Sequence, residues 1–368
     1  MPIEDCQRLT QELDRILAQL DRHCRVIAEE LVKPELLDDV RIDAAVREIN
    51  QASYDFNRFL PNVSRTRSAA DTLMNKASEQ AKHLSELEWT KLSARVHQTH
   101  GWFNSWQAVE QLVKDQIPPK RRKLFVESTQ IDHMMKQQLS IYDDVFSMLH
   151  LVLNPIEQNE SSINHGCFPD ISLPNSEFLR HAHAAYRILL TLGRAGPSKF
   201  IDVGCGGGLK VITAAQIFGQ ASGLEFDSGY AEAARRLVEK SSLNNCTIIE
   251  GDGLSFRDYG DFDIVYFYRP MRNEEMLNRL EKKIMSCVRP GTLLIAPYAQ
   301  FHYRHLDYGC AHIAGAVYIA AETQENADVL CRLAEYTGTS IPRRGPSLQS
   351  IWYPILEVSL SKGFGLTK

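Results

Sequence analysis

Glycine is spread so unevenly along this chain that its two halves cannot be the same kind of structure. Of 21 glycines in 368 residues, Gly101 alone falls within the first 160, and the other twenty follow. A glycine inside a helix costs roughly 1 kcal/mol relative to alanine, whereas tight strand-to-helix turns depend on it. The first half therefore reads as helix. Leu9, Leu13, Ile16, Leu17, Leu20, Cys24, Ile27 and Leu31 recur at spacings of three and four, and Pro34 ends that run. Leu36, Val40, Val46 and Ile49 carry a second stripe. Two later helical stretches, about 68–113 and 125–153, are separated by Ile117-Pro118-Pro119, which no continuous helix tolerates. The expectation is an all-α helical bundle domain over 1–160, followed by a second domain over 161–368. The long apolar stripe from Leu9 to Leu31 needs a partner, which its own bundle, the second domain or a second subunit can supply, and a homodimer through residues 1–160 is expected.

Composition narrows the class. Hydrophobic residues at 44% and charged residues at 24% are globular values. The net charge of −5 disfavours a generally basic nucleic-acid binder. The 41 cations and 46 anions are not evenly placed, since the whole negative excess lies in the first 165 residues. The one local exception is Lys120-Arg121-Arg122-Lys123, whose placement at a helix start opposes the macrodipole and suits an anionic partner such as RNA. A solvated face is the more ordinary role of such a run. No apolar run approaches the ~18 residues of a membrane span, and Met1-Pro2-Ile3-Glu4-Asp5 is acidic where a signal peptide is basic. The expected location is the cytoplasm, away from membranes. Eight scattered cysteines without a C-x-x-C pair indicate neither a disulfide framework nor a metal site. His181 and His183, two apart on an expected helix, diverge and form no metal pair.

From residue 161 the pattern alternates strand and helix. Strands are expected at 200–203, 221–225, 246–249, 262–268 and 292–298, with amphipathic helices between them. A helix near 323–336 and a final strand at 351–360 complete the series. Such alternation builds right-handed βαβ units and a mostly parallel sheet.

The most informative segment is Asp202-Val203-Gly204-Cys205-Gly206-Gly207-Gly208, directly after the first strand. A glycine turn there lets a ligand approach the backbone closely. Leu209 stands where a dinucleotide fingerprint needs its last glycine, and Asp202 would repel a pyrophosphate but welcome a cationic amino group. Glu225 closes the second strand, where a carboxylate accepts from both hydroxyls of a ribose. Phe226 follows and can lie on an adenine face. Asp252 and Gly253 close the third strand, where the acid can accept from an exocyclic amine while the backbone reads the ring edge.

On these residues the segment from about 170 to 360 resembles the class I S-adenosylmethionine-dependent methyltransferases. The resemblance implies a Rossmann-type α/β sheet and S-adenosyl-L-methionine as cofactor, with S-adenosyl-L-homocysteine as product. It assigns Asp202, Gly204, Cys205, Gly206 and Gly208 to the cofactor loop, Glu225 and Phe226 to the nucleoside, and Asp252 and Gly253 to the adenine edge. Asn175-Ser176-Glu177-Phe178 falls where such enzymes often place a helix or loop over the cofactor. The first 160 residues carry no such resemblance.

The acceptor is less legible. After the fourth strand the chain reads Tyr266-Phe267-Tyr268-Arg269-Pro270, not the Asn/Asp-Pro-Pro-Tyr/Phe of methyltransferases that act on bases or glutamine amides. Tyr268 and Arg269 are candidates for orienting an anionic or protein substrate, or else a strand end whose Arg pairs with a helix carboxylate. His302 and His305 are candidate general bases, needed only for a protonated nucleophile. Tyr266, Tyr268, Tyr298, Tyr303 and Tyr308 could form an aromatic rim around a lysine ammonium or a flat acceptor, or belong to the core. The favoured reading is methyl transfer to an N or O atom of a protein or small molecule. The alternatives are an RNA methyltransferase that uses residues 120–123 and a non-catalytic cofactor-binding scaffold whose helical half mediates interactions.

Overall fold

The computed structural model describes all residues except 1, 34–36, 75–77, 118–119, 128, 130, 156, 169–170, 172, 342–344 and 367–368. Pro34, Leu36, Pro118 and Pro119, used above as helix breaks and a stripe position, lie outside the described residues. The chain divides into two compact units, Met1–Lys120 with Pro342–Lys368, and Arg121–Ile341. This partition differs from the boundary expected at 160. Residues 121–160 group with the α/β unit, and the C-terminal segment returns to the helical one.

The helical unit is built from α1 (Pro2–Val32), α2 (Asp39–Met74) and α3 (Glu79–Lys114). Leu9, Leu13, Leu20, Cys24, Ile27 and Leu31 of α1 are fully buried. They join Ile42, Ile49, Phe56 and Phe59 of α2 and Trp89, Leu92 and Trp106 of α3 in two apolar clusters. Each such leucine contributes about 1.5–3 kcal/mol by leaving water. The stripe is thus covered within its own unit, one of the partners open to it in sequence. A C-terminal helix, Tyr353–Ser361, completes the bundle where a strand was expected. Trp352, Ile355 and Ser359 lie at helical spacing and are all buried, and a short apolar run cannot by its own pattern tell strand from helix. Trp352 stacks on Trp106 with ring centroids 4.7 Å apart and donates from Nε1 to Trp102 O at 3.0 Å.

The second unit opens with α4 (His133–Leu153), α5 (Glu160–Asn164) and α6 (Asn175–Thr191). The alternation then runs β1 (Lys199–Val203), α7 (Leu209–Ala215), β2 (Gln220–Glu225), α8 (Ser228–Ser241), β3 (Cys246–Glu250), β4 (Ile264–Phe267), α9 (Glu274–Cys287) and β5 (Leu293–Ile295). It ends with α10 (Ala299–Arg304), a hairpin of β6 (Cys310–Ala314) and β7 (Val317–Ala320), and α11 (Gln324–Ala334). Among the described residues the strands form one seven-stranded sheet in the order β3-β2-β1-β4-β5-β7-β6. The first five are parallel, and β7 is antiparallel to both β5 and β6. The sequence pattern did not signal this hairpin.

Alternate residues of β1 serve the two faces of the sheet. Phe200 packs with Phe178 and Ala185 of α6 and Val211 of α7, whereas Ile201 and Val203 pack with Leu277, Leu280 and Ile284 of α9. Because β2 and β4 lie on opposite sides of β1, the strand order reverses there. A crevice opens at such a point, outside the carboxyl ends of the strands.

Candidate functional site

The carboxyl ends of β1 to β4 frame a trough of two joined clefts of about 690 and 460 Å³. The larger is lined by Glu225, Phe226, Asp252, Gly253 and Arg269, and the smaller by Asp202, Cys205, Gly208, Lys210 and Tyr266. Gly204, Gly206, Ile171 and Tyr268 belong to both. Every expected cofactor residue therefore sits on one continuous surface.

The glycine turn has a steric basis. Gly204, Gly206 and Gly208 have φ of 78°, 52° and 81°, a region that side chains rarely adopt. A Cβ on Gly204 would lie 2.8 Å from Pro270 Cβ. Cys205 is buried, and burial pushes its thiol well up. Its sulfur lies 2.5 Å from where a Cβ of Gly223 would be, so its role is packing beneath the loop.

Glu225 is nearly buried at the end of β2. Its Oε2 accepts from Gly206 N at 2.8 Å and its Oε1 from Asp227 N at 2.9 Å. Burial raises its carboxyl above the usual range, and these two N–H groups oppose that rise. A carboxylate offers about four lone-pair directions, so one on each oxygen remains for a ligand diol. Asp227 caps α8 through Gly229 N and Tyr230 N, which holds the end of the strand still.

Asp252 Oδ1 accepts from Leu254 N at 2.9 Å and lies 3.1 Å from His165 Nε2. Its Oδ2 takes no hydrogen bond from the described residues. The His165 ring also stacks on Phe226, with centroids 4.2 Å apart and planes 16° from parallel. His165 thus holds both the acid and the aromatic ring, although it does not itself line the cleft. The segment around it is tied down, because Cys167 bridges to Met271, Phe168 N donates to Pro270 O, and Arg272 N donates to Gly166 O.

At the other end Asp202 and Lys210 are both buried. Burial pushes Asp202 up to about 8 and Lys210 down to about 7, each opposed by the charge of the other. Lys210 Nζ donates to Leu173 O at 2.8 Å and Asn175 Oδ1 at 3.1 Å, and lies over the Phe146 ring at 4.1 Å. The segment expected over the cofactor is the first turn of α6, and Asn175 reaches the site through this lysine. Lys210 was not singled out from sequence. Its one signal is a cation in the first turn of a helix, where the macrodipole disfavours it unless an anion comes near.

The candidate acceptor residues separate. Tyr268 and Arg269 line the trough, but His302 and His305 do not. Both histidines gather around Tyr318 beyond β5, with His302 Nδ1 3.1 Å from the Tyr318 hydroxyl. Phe301, buried in the core between β5 and the hairpin, draws α10 there. Of the expected aromatic rim only Tyr266 and Tyr268 reach the trough. Tyr298 and Tyr308 donate to the buried Glu281, which Arg304 also grips, and Tyr303 is exposed. In the basic segment Arg121 Nε donates to Glu335 at 2.6 Å, and the Arg122 and Lys123 carbonyls accept from Arg187. That segment is stitched to α6 and the end of α11. All eight cysteines are free, and no metal-holding group of His, Cys, Asp or Glu occurs among the described residues. No described helix is long and apolar enough to cross a membrane.

Residues 200–291 match the profile of a family described as a methyltransferase domain. A probable cobalt-precorrin-6B C(15)-methyltransferase (decarboxylating) of Sulfurisphaera tokodaii is 34% identical over 92 residues, 24% of this chain and 48% of that protein. The chain thus spans about half the length of this curated relative. Among solved structures, PKMT2 from Rickettsia typhi in complex with AdoHcy is similar at 18% identity and a TM-score of 0.27, over 30% of this chain and 25% of that one. An RNA methyltransferase from Salinibacter ruber in complex with S-adenosyl-L-homocysteine is similar at 18% identity and a TM-score of 0.29, over 43% of this chain and 99% of that one.

Proposed function

From the premise that the α/β unit belongs to the class I S-adenosylmethionine-dependent methyltransferase family, we propose that this chain transfers a methyl group to an N or O atom of a small molecule or protein. The observation that carries the reading is Glu225, a buried carboxylate pinned by two backbone N–H groups at the end of β2. Its remaining lone pairs accept the two ribose hydroxyls. Phe226 takes one face of the adenine, and Asp252 Oδ2 accepts its exocyclic amine. Gly204 and Gly206 let the ligand lie against backbone. Asp202 meets the ammonium and Lys210 the carboxylate of the amino-acid tail, so two groups that burial pushes toward neutrality regain charge against opposite charges.

When bound, S-adenosylmethionine supplies an electrophilic methyl group on a sulfonium. What the protein contributes is alignment, because holding two reactants in line supplies most of the rate when the leaving group is already good. Tyr268, on the border of the two clefts, and Arg269 beside it hold the acceptor. Phe168, Ile171 and Met271 exclude water from one side of the larger cleft. Neither His302 nor His305 reaches the trough, so neither serves as a base in this reading.

Calorimetry with S-adenosylhomocysteine tests the reading. Glu225→Ala should weaken binding by about 1.5–3 kcal/mol, the range for hydrogen bonds to charged groups. Equal affinity in the variant, or binding of NAD in preference, would overturn it. Label passing from the cofactor to any acceptor would exclude the scaffold alternative.

A further inference from the structure

Arg269 has two properties that packing does not explain. Its φ of 48° places a non-glycine residue in the left-handed region, immediately before a proline, where backbone freedom is further restricted. Its Nε is buried and has no hydrogen-bond partner among the described residues. The guanidinium lies over the Phe168 ring at 5.3 Å. No described carboxylate forms an ion pair with it. The backbone on its C-terminal side is clamped by the Cys167–Met271 bridge and by Phe168 N donating to Pro270 O, so the conformation is imposed from outside. Strained residues and buried unmatched donors concentrate at sites that bind something.

Arg269 is also the one cationic side chain among the described residues of the larger cleft, whose two carboxylates, Glu225 and Asp252, are assigned to the nucleoside. The guanidinium, 5.3 Å from the Phe168 ring centre, carries two further nitrogens beyond the buried Nε. The two Nη groups form a two-donor fork of the kind that fits a carboxylate or a phosphate.

We propose that the methyl acceptor is a small anionic molecule whose carboxylate or phosphate docks on the guanidinium of Arg269. This rests on reading the trough as a methyltransferase site and narrows its substrate class. A small molecule is favoured because the segment around Cys167 is tied across to Met271 and closes one side of the cleft. Orientation by a fork at a fixed distance from the cofactor places the acceptor atom in line, so Arg269 acts on the acceptor and not on the nucleoside.

The test uses the full chain labelled with ¹⁵N-arginine and saturated with S-adenosylhomocysteine. Its Arg269 Nε–H resonance, assigned by its loss in Arg269→Lys, is followed while inorganic phosphate or acetate is added. A saturable shift is expected, and the stronger of the two anions identifies the acceptor group. Arg269→Met should lose the anion-dependent response while its S-adenosylhomocysteine affinity stays within twofold of wild type. Arg269→Lys, which keeps the charge without the fork, should bind the anion at least fivefold more weakly. With methyl-labelled S-adenosylmethionine and a small-molecule cell extract, labelled product should be retained on an anion exchanger. No saturable shift in the wild type, a neutral or cationic product, or loss of S-adenosylhomocysteine binding in Arg269→Met would overturn the proposal. So would an RNA oligonucleotide that displaces the anion at lower concentration than any small molecule. If the wild type fails to bind S-adenosylhomocysteine at all, the reading of the trough fails instead, and the same titration without nucleoside still decides Arg269.

Discussion

Lys210→Met isolates the charge at the end of the trough away from the nucleoside groups. Methionine keeps most of the side-chain length and can still pack against Phe146, whose ring lies 4.1 Å from Nζ. It removes the ammonium assigned to the ligand carboxylate. The loss of one charge-assisted hydrogen bond of about 1.5–3 kcal/mol corresponds to roughly ten- to 150-fold weaker binding of S-adenosylhomocysteine. 5′-Methylthioadenosine has the same adenine and ribose without the amino-acid tail, so its affinity should not change. Folding should tolerate the substitution. Burial holds Lys210 down to about 7, so the charged form opposes folding at neutral pH, a penalty the methionine lacks. It does leave Leu173 O and Asn175 Oδ1 without this donor. The two effects oppose each other, and the expected change in melting temperature is a modest decrease, set by the acceptors left unmatched and by the loss of the charge facing Asp202. Calorimetry with the two ligands side by side reads the result. An equal loss for both would make Lys210 a structural residue, and an unchanged affinity for S-adenosylhomocysteine would place the tail elsewhere.

Other consequences follow from the same geometry. The bound tail needs Asp202 ionised, although burial pushes its carboxyl up, and Lys210 protonated, although burial pushes its ammonium down. Affinity for S-adenosylhomocysteine should therefore fall on both the acid side, as Asp202 is protonated, and the alkaline side, as Lys210 is deprotonated, whereas 5′-methylthioadenosine should lack the alkaline limb. Gly204→Ala forces a side chain into the left-handed region at a cost of about 1–2 kcal/mol and brings its Cβ to 2.8 Å from Pro270. It should lower the melting temperature and abolish nucleoside binding, and a variant that binds normally would refute the close-approach argument. His165→Ala releases Asp252 Oδ1 and uncovers Phe226, and should weaken both adenosine ligands by about 0.5–1.5 kcal/mol, as for one ordinary hydrogen bond. Trp352→Ala removes the stack on Trp106 and should destabilise the helical unit by about 3–5 kcal/mol, seen as a separate, earlier transition in calorimetric melting.

Much of the α/β unit was legible because its signals are local. A glycine that must adopt positive φ, an acid that closes a buried strand and a helix stripe at i, i+3 and i+4 each depend on a few neighbouring residues. Thus Gly204, Glu225, Asp252 and the order of β1 to β5 could be read in sequence, as could the buried face of α1. What depends on pairing between distant segments was decided only by the tertiary structure. The segment around Trp352 is apolar enough for a strand, but its place against Trp106 in α3 makes it a helix of the other unit. The β6–β7 hairpin pairs with β5 instead, and with it α10 carries His302 and His305 away from the trough although they follow a strand end in sequence. Lys210 and Arg269 show the same division. Their identities are local, but the burial that shifts one and the clamp that strains the other come from α6 and from the segment around Cys167. Periodicity and turn chemistry report what a segment prefers alone, whereas charge states and reach within a site depend on which distant surfaces exclude water around it.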